Sequence, residues 1–128
     1  MKFYIATRFE RREEVKQIIE KLAKKGHSAS LDWTEHKPTK PYAQNKDLAK
    51  EYAIDDIKGV RNCDVFVLLT DEAGAGMYVE LGAAMASNLE FGKPKIFVVG
   101  RHDSSNFFYH PVVKRKETIE EVLKELGI

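Results

Sequence analysis

The sequence predicts an α/β fold, a parallel sheet of about five strands with helices on both faces, and three observations carry the prediction. Short apolar runs, Phe3-Tyr4-Ile5-Ala6, Val65-Phe66-Val67-Leu68-Leu69 and Ile96-Phe97-Val98-Val99, have the uninterrupted hydrophobicity of strands buried on both faces. Segments with helical spacing of apolar residues alternate with them, as in repeated βα units. The length of 128 residues and a hydrophobic content of 43% suit one compact domain with its own core.

Phe3 to Ala6 opens the chain as a strand, and Thr7-Arg8-Phe9-Glu10-Arg11-Arg12 forms the polar exit loop. Val15, Ile18, Ile19 and Leu22 recur at helix spacing, with Gly26 as the stop. His27 to Trp33 reads as a second strand, because Ala29 and Leu31 alternate with Ser28, Ser30 and Asp32. Thr34 to Asn45 holds Pro38 and Pro41 without a period and reads as a long loop, a length that in compact domains is often functional. A second helix runs from about Asp47 to Val60 with Leu48, Ala49, Tyr52, Ala53, Ile57 and Val60 as its apolar stripe, and leads into a strand at Asp64 to Leu69. A third helix carries Glu80, reaches about Leu89 and stops at Gly92, and Pro94 opens the strand Lys95 to Val99. A polar loop through about Tyr109, a short edge strand at Val112-Val113 and a last helix from Thr118 or just before it complete the chain. The order amounts to a single flavodoxin-like or Rossmann-like domain spanning residues 1–128.

Composition narrows the function. Twenty-one basic and 20 acidic side chains are interspersed to a net charge of +1, which leaves no broad footprint for a nucleic acid polymer or an anionic membrane, so a small molecule is the expected partner. The lone Cys63 excludes an internal disulfide and a cysteine-built zinc site, and suits a cytoplasmic location. No signal segment opens the chain and no apolar run approaches the roughly 20 residues of a membrane span. His27, His36, His102 and His110 lack a ligand spacing, so neither a metal nor another cofactor is expected. The Gly74-Ala75-Gly76 turn lacks the lysine of a phosphate-binding P-loop and the rest of a dinucleotide fingerprint.

The most informative stretch is Gly76-Met77-Tyr78-Val79-Glu80-Leu81-Gly82-Ala83-Ala84, which sets a glutamate at the start of a helix directly after an apolar strand. Ligands of open α/β sheets bind at such junctions. Glu80 has a plain structural explanation in the helix macrodipole, but Gly74 and Gly76 would let a ligand approach the backbone beside it. A carboxylate so placed is expected to be ionised at neutral pH, as a nucleophile toward a sugar carbon must be. Asp56 lies within the apolar stripe of the second helix, where a carboxylate loses solvation, so it either caps a neighbouring loop or takes part in chemistry. Asp55 faces outward, and Asp64 lies at the opposite end of the sheet. Trp33 could stack on a base or pack in the core.

Phe3-Tyr4-Ile5-Ala6, Asp56-Ile57 eight residues before Asp64, Cys63-Asp64-Val65-Phe66-Val67, and Gly76 four residues before Glu80-Leu81-Gly82 together resemble the nucleoside 2-deoxyribosyltransferase family, whose superfamily includes deoxynucleoside 5'-monophosphate N-hydrolases. The resemblance runs from residue 3 to about 99. It implies that Glu80 attacks C1' of a nucleoside to give a covalent glycosyl-enzyme, which a second base or water resolves. It further implies that Asp56 contacts the sugar or assists protonation of the leaving base. An aromatic hydroxyl on the first strand would orient the nucleophile; Tyr4 is the candidate, with Phe3 the alternative occupant of that place.

Two departures bear on substrate. Six positions before Glu80, where the transferases carry an acidic residue that reads the base, stands Gly74, with Asp71 and Glu72 nearby. Where the monophosphate hydrolases bind the 5'-phosphate stand Thr7, Arg8, Arg11 and Arg12, which could serve an anion or, for Arg11 and Arg12, simply face solvent. Family members often complete the pocket with a polar residue of a neighbouring subunit, for which Ser104, Ser105 and Asn106 are candidates beside the aromatic run Phe107-Phe108-Tyr109. A homodimer or larger homo-oligomer is therefore implied. A non-catalytic nucleotide-binding or signalling module on the same scaffold is the contrasting possibility.

Overall fold

A computed structural model describes residues 1–128. The elements run β1 (Lys2–Ala6), α1 (Arg12–Lys24), β2 (Ser28–Ala29), α2 (Lys46–Asn62), β3 (Val65–Leu69), α3 (Gly76–Phe91), β4 (Lys95–Val99), β5 (Val113–Lys116) and α4 (Ile119–Glu125). The five strands form one parallel sheet in the order β2-β1-β3-β4-β5, with Phe3 beside Val65, Val65 beside Lys95 and Ile96 beside Val113. The chain moves outward from β1 to β2 and then back across to β3 and β4. With right-handed crossovers this puts α1 on one face and α2 and α3 on the other. Lys21 of α1 and Glu120 of α4 pair at 3.0 Å, which places α4 with α1.

All five residues of β3 are buried, as are Phe3 to Ala6 and Ile96 to Val99, so the central strands are apolar because both faces are covered. The edge strands depart from the sequence reading. β2 is two residues rather than His27 to Trp33. It bonds only to β1, and Asp32 instead accepts the Thr34 N–H at 3.1 Å, capping the short turn Trp33–Glu35 and ending the strand. β5 begins at Val113 and continues through Lys114, Arg115 and Lys116, so its charged half hid it from a search for apolar runs; charged edges are a common protection against pairing with other chains. Thr118 caps α4 by accepting the Glu121 N–H at 3.3 Å. Ala53, expected in the buried stripe of α2, is exposed. No helix is long and apolar enough to cross a membrane.

Gly100, directly after β4, has a φ of 121°, and a Cβ built on it would overlap Thr70 Oγ1 at the end of β3. Gly100→Ala is therefore expected to destabilise the protein by about 1–3 kcal/mol, read as a lower urea midpoint with an unchanged slope. A midpoint equal to that of the unaltered protein would show that the β3–β4 exit relaxes freely.

Candidate active site

The sheet order reverses between β1 and β3, and there the chain builds a cleft of about 410 Å³. Tyr4 rises from the centre of β1, Asp56 comes down from α2, and Glu80 sits in the second turn of α3, so three separate elements deliver the three polar groups. The Tyr4 hydroxyl donates a hydrogen bond to Glu80 Oε2. Phe3 instead packs edge-on to His27 with ring centroids 5.8 Å apart, so of the two β1 aromatics it is Tyr4 that meets Glu80. Burial, reinforced by both carboxylates, pushes the Tyr4 phenol far above its ordinary range, so it remains a donor.

Burial also pushes the Glu80 carboxyl up to about 8; the Tyr4 hydrogen bond holds it down and the Asp56 charge pushes it further up. This corrects the expectation of an ionised carboxylate at neutral pH. α3 begins at Gly76, so Glu80 lies beyond the first turn, where the helix dipole acts most strongly, and no cation sits against it to replace lost water. Asp56 is likewise raised, chiefly by burial and slightly by Asp55, with His36 acting in the opposite direction. Its Oδ1 has no hydrogen-bond partner and lies 3.9 Å from His36 Nδ1. Two half-buried carboxyl groups with raised pKa values thus face one cleft, with the Tyr4 phenol bonded to one of them.

His36 was invisible as a site residue in the sequence. It sits in the long loop with its ring stacked on Tyr52, centroids 3.7 Å apart and planes within 4°, while the Tyr52 hydroxyl accepts the Lys37 N–H at 3.0 Å. Tyr52 is one turn before Asp56 on α2, so the stack holds the imidazole over the carboxylate. Only the loop's conformation reveals this, although an aromatic one turn before a misplaced carboxylate was a usable hint.

Other candidate residues divide. Thr7, Arg8, Gly74 and Gly76 all line the cleft. Thr7, however, donates its hydroxyl to the Leu69 carbonyl at 3.0 Å, and Arg8 is held by Glu10 at 3.2 Å and Asp71 at 3.4 Å. Arg11 is occupied by the Thr70 carbonyl at 2.7 Å and Glu14 at 2.8 Å, and Arg12 lies over the Phe9 ring at 4.9 Å. Lys37 and Lys40, not singled out from sequence, stand exposed on the cleft rim. Gly74 has a φ of 114° and its Cβ position would crowd Met77 and Arg8, so a side chain there would be strained. Trp33 borders the cleft but is buried, with its indole N–H given to the Ile5 carbonyl at 2.6 Å, the arrangement of a packed tryptophan.

Ser105 and Asn106 do not line this cleft in their own chain. Ser105 Oγ accepts the Phe107 N–H at 3.2 Å, and the neighbouring Ser104 meets the Tyr78 hydroxyl at 2.7 Å over the outer side of α3. No group of three or more His, Cys, Asp or Glu side chains is placed to hold a metal ion.

The family described as nucleoside 2-deoxyribosyltransferase matches residues 3–110. A solved structure with the same architecture is the CMP N-glycosidase BcmB of Clostridium botulinum, 15% identical, with a TM-score of 0.64 over 100% of both chains. At that identity the likeness is one of fold. No curated protein matches the chain in sequence.

Proposed function

Since the chain belongs to the nucleoside 2-deoxyribosyltransferase family, we propose that it cleaves or exchanges the N-glycosidic bond of a nucleoside or nucleotide through a covalent intermediate on Glu80. One observation carries this reading: a tyrosine-held carboxyl and a second carboxyl from another element share the floor of one cleft at the sheet's switch point. In the productive protonation state the pair keeps one proton, on Asp56. A Glu80 oxygen attacks C1', the C1'–N bond breaks with its electron pair passing to the base, and the Asp56 proton, with His36 beside it, neutralises the departing nitrogen. Water or an incoming base then attacks C1' and the Glu80 carboxylate leaves. Tyr4 directs the nucleophilic oxygen and withdraws enough charge to keep part of Glu80 ionised.

The exposed Lys37 and Lys40 at the rim, with the half-buried Arg8 nearby, favour a second form of this reading, hydrolysis of a nucleoside 5'-monophosphate, in which the cations face the phosphate. Chromatography of reactions with deoxynucleosides, ribonucleosides and their 5'-monophosphates, each with and without a free acceptor base, separates the forms. New nucleoside in the presence of acceptor marks transfer; base release confined to monophosphates marks the hydrolase. Tight nucleotide binding without any product would instead favour a binding module.

The working unit is proposed to be a homodimer or larger assembly. The outer face of α3 offers Val79, Gly82, Ala86 and Leu89 to solvent, and Val79 and Leu89 are 66% exposed. Such a face is apolar where a surface helix would be polar. It continues into a 500 Å³ hollow between Tyr78, Met85 and Phe107, flanked by the Ser104–Ser105 loop that would reach a second copy's cleft. Val79→Glu is expected to convert the dimer to monomer in light scattering and to lower activity with it. A monomeric parent protein with full activity would contradict the assembly.

A further inference from the structure

Gly59 lies in the interior of α2, buried and without a positive φ, where glycine is a poorer helix former than alanine. Neither a turn nor a cap explains it, so the reason is space. A Cβ there would stand 2.8 Å from Leu31 Cβ and 3.0 and 3.1 Å from Cε2 and Cδ2 of Tyr4, the ring edge next to the hydroxyl that holds Glu80. We propose that Gly59 is a positioning residue: by bringing no side chain to the contact of α2 with β1, it sets how closely Asp56 approaches Tyr4 and Glu80.

The surroundings leave an added methyl two ways to be accommodated, and both reach the cleft. Leu31 Cβ is fixed to a backbone anchored beside it, where the Ser30 N–H donates to the Phe3 carbonyl at 2.9 Å. The Ser30 hydroxyl in turn donates to the Gly59 carbonyl at 2.7 Å, pinning the helix at this point. The Tyr4 ring is backed by Phe66, nearly parallel at 5.9 Å between centroids. Either the ring swings away, taking its hydroxyl from Glu80, or α2 lifts, taking Asp56, three residues earlier and on the same helix face, out of the cleft. A contact far from solvent thus governs the distance between nucleophile and acid.

The inference rests on the glycosyl-transfer reading for its kinetic consequence, but its geometric consequence can be read without substrate. The groups facing Glu80 are Tyr4 from β1 and Asp56 from α2, with His36 and Asp55 beyond Asp56 and Cys63 behind Tyr4. Loss of the Tyr4 hydrogen bond therefore raises the Glu80 titration. The experiment compares Gly59→Ala, Tyr4→Phe, their combination, and Val60→Ala as a buried neighbour outside the contact, by steady-state kinetics and by carboxyl-carbon NMR titration of Glu80. Gly59→Ala is expected to lower kcat about 100-fold with KM little changed, the cost of a misplacement near one ångström. It should also move the Glu80 titration upward as Tyr4→Phe does, and the combination should be within about twofold of the worse single variant. Val60→Ala should lower the melting temperature without moving the titration.

If Gly59→Ala does not fold, Ser30→Ala, which unpins the helix at the same place, should shift the rate and the titration in the same directions by smaller amounts. Wild-type rate and titration in Gly59→Ala, or in Ser30→Ala when the former does not fold, would overturn the proposal. A wild-type protein that releases no base yet shows the Gly59-dependent titration would sink the functional reading while leaving the positioning role standing.

Discussion

Glu80→Gln is expected to lower base release at least about 1000-fold in kcat/KM, beyond the typical loss from removing a single transition-state donor, while making the fold more stable in alkaline solution. Glutamine can still accept the Tyr4 hydroxyl but cannot attack C1' or carry a charge. The stability change follows from the carboxyl's rise from its ordinary 4.5 to about 8. Below pH 4.5 folded and unfolded chains both hold this proton, and the group is neutral to stability. Between 4.5 and 8 the unfolded chain loses the proton that the folded chain keeps, so stability falls as pH rises. Above 8 the penalty is complete, of order 5 kcal/mol at 1.36 kcal/mol per pH unit. The melting temperature of Glu80→Gln should thus match the parent near pH 4.5 and exceed it increasingly up to pH 9. Parallel curves would mean that Glu80 is solvated, and the proposed role of Tyr4 in tuning it would fall.

Asp56→Asn carries the second large effect, about 10²–10⁴-fold in kcat with ordinary bases, as for the loss of a general acid. The loss should depend on the leaving group. A nucleoside of N7-methylated guanine already bears positive charge on its base and needs no proton to depart, so parent and variant should cleave it at rates within about tenfold. A loss equal for both substrates would assign Asp56 to holding the sugar rather than to proton delivery. His36→Ala should show the same leaving-group pattern in weaker form, because the imidazole lies 3.9 Å from Asp56 Oδ1 and acts through it.

The sequence was legible where burial and periodicity agree. β3 and β4 are apolar because both faces of the sheet's centre are covered, and α3 was readable from the glycine turn that precedes it. Asp56 stood out as a carboxylate in an apolar stripe, Glu80 as a glutamate at a strand-to-helix junction, and Tyr4 through the family resemblance; the fold brings both carboxyls to one cleft, with Tyr4 buried behind and bonded to Glu80. The edges were harder: β2 is ended by the local Asp32–Thr34 bond, and β5 is mostly charged. His36 and Gly59 were illegible for a different reason. One acts through a loop conformation and the other through an absent side chain, and neither leaves a periodic mark. The ionisation of Glu80 was misjudged because position along a helix says little about how much water the folded cleft retains.

The glycosyl-enzyme on Glu80 is tested by mass spectrometry of the protein quenched in acid during turnover of a nucleoside panel, followed by peptide mapping. A protein population heavier by one sugar residue is expected, the added mass located on the peptide containing Glu80 and absent from Glu80→Gln. Base release by the parent protein with no such adduct on Glu80 at any quench time, including with a 2'-fluoro sugar that slows the second step, would contradict it.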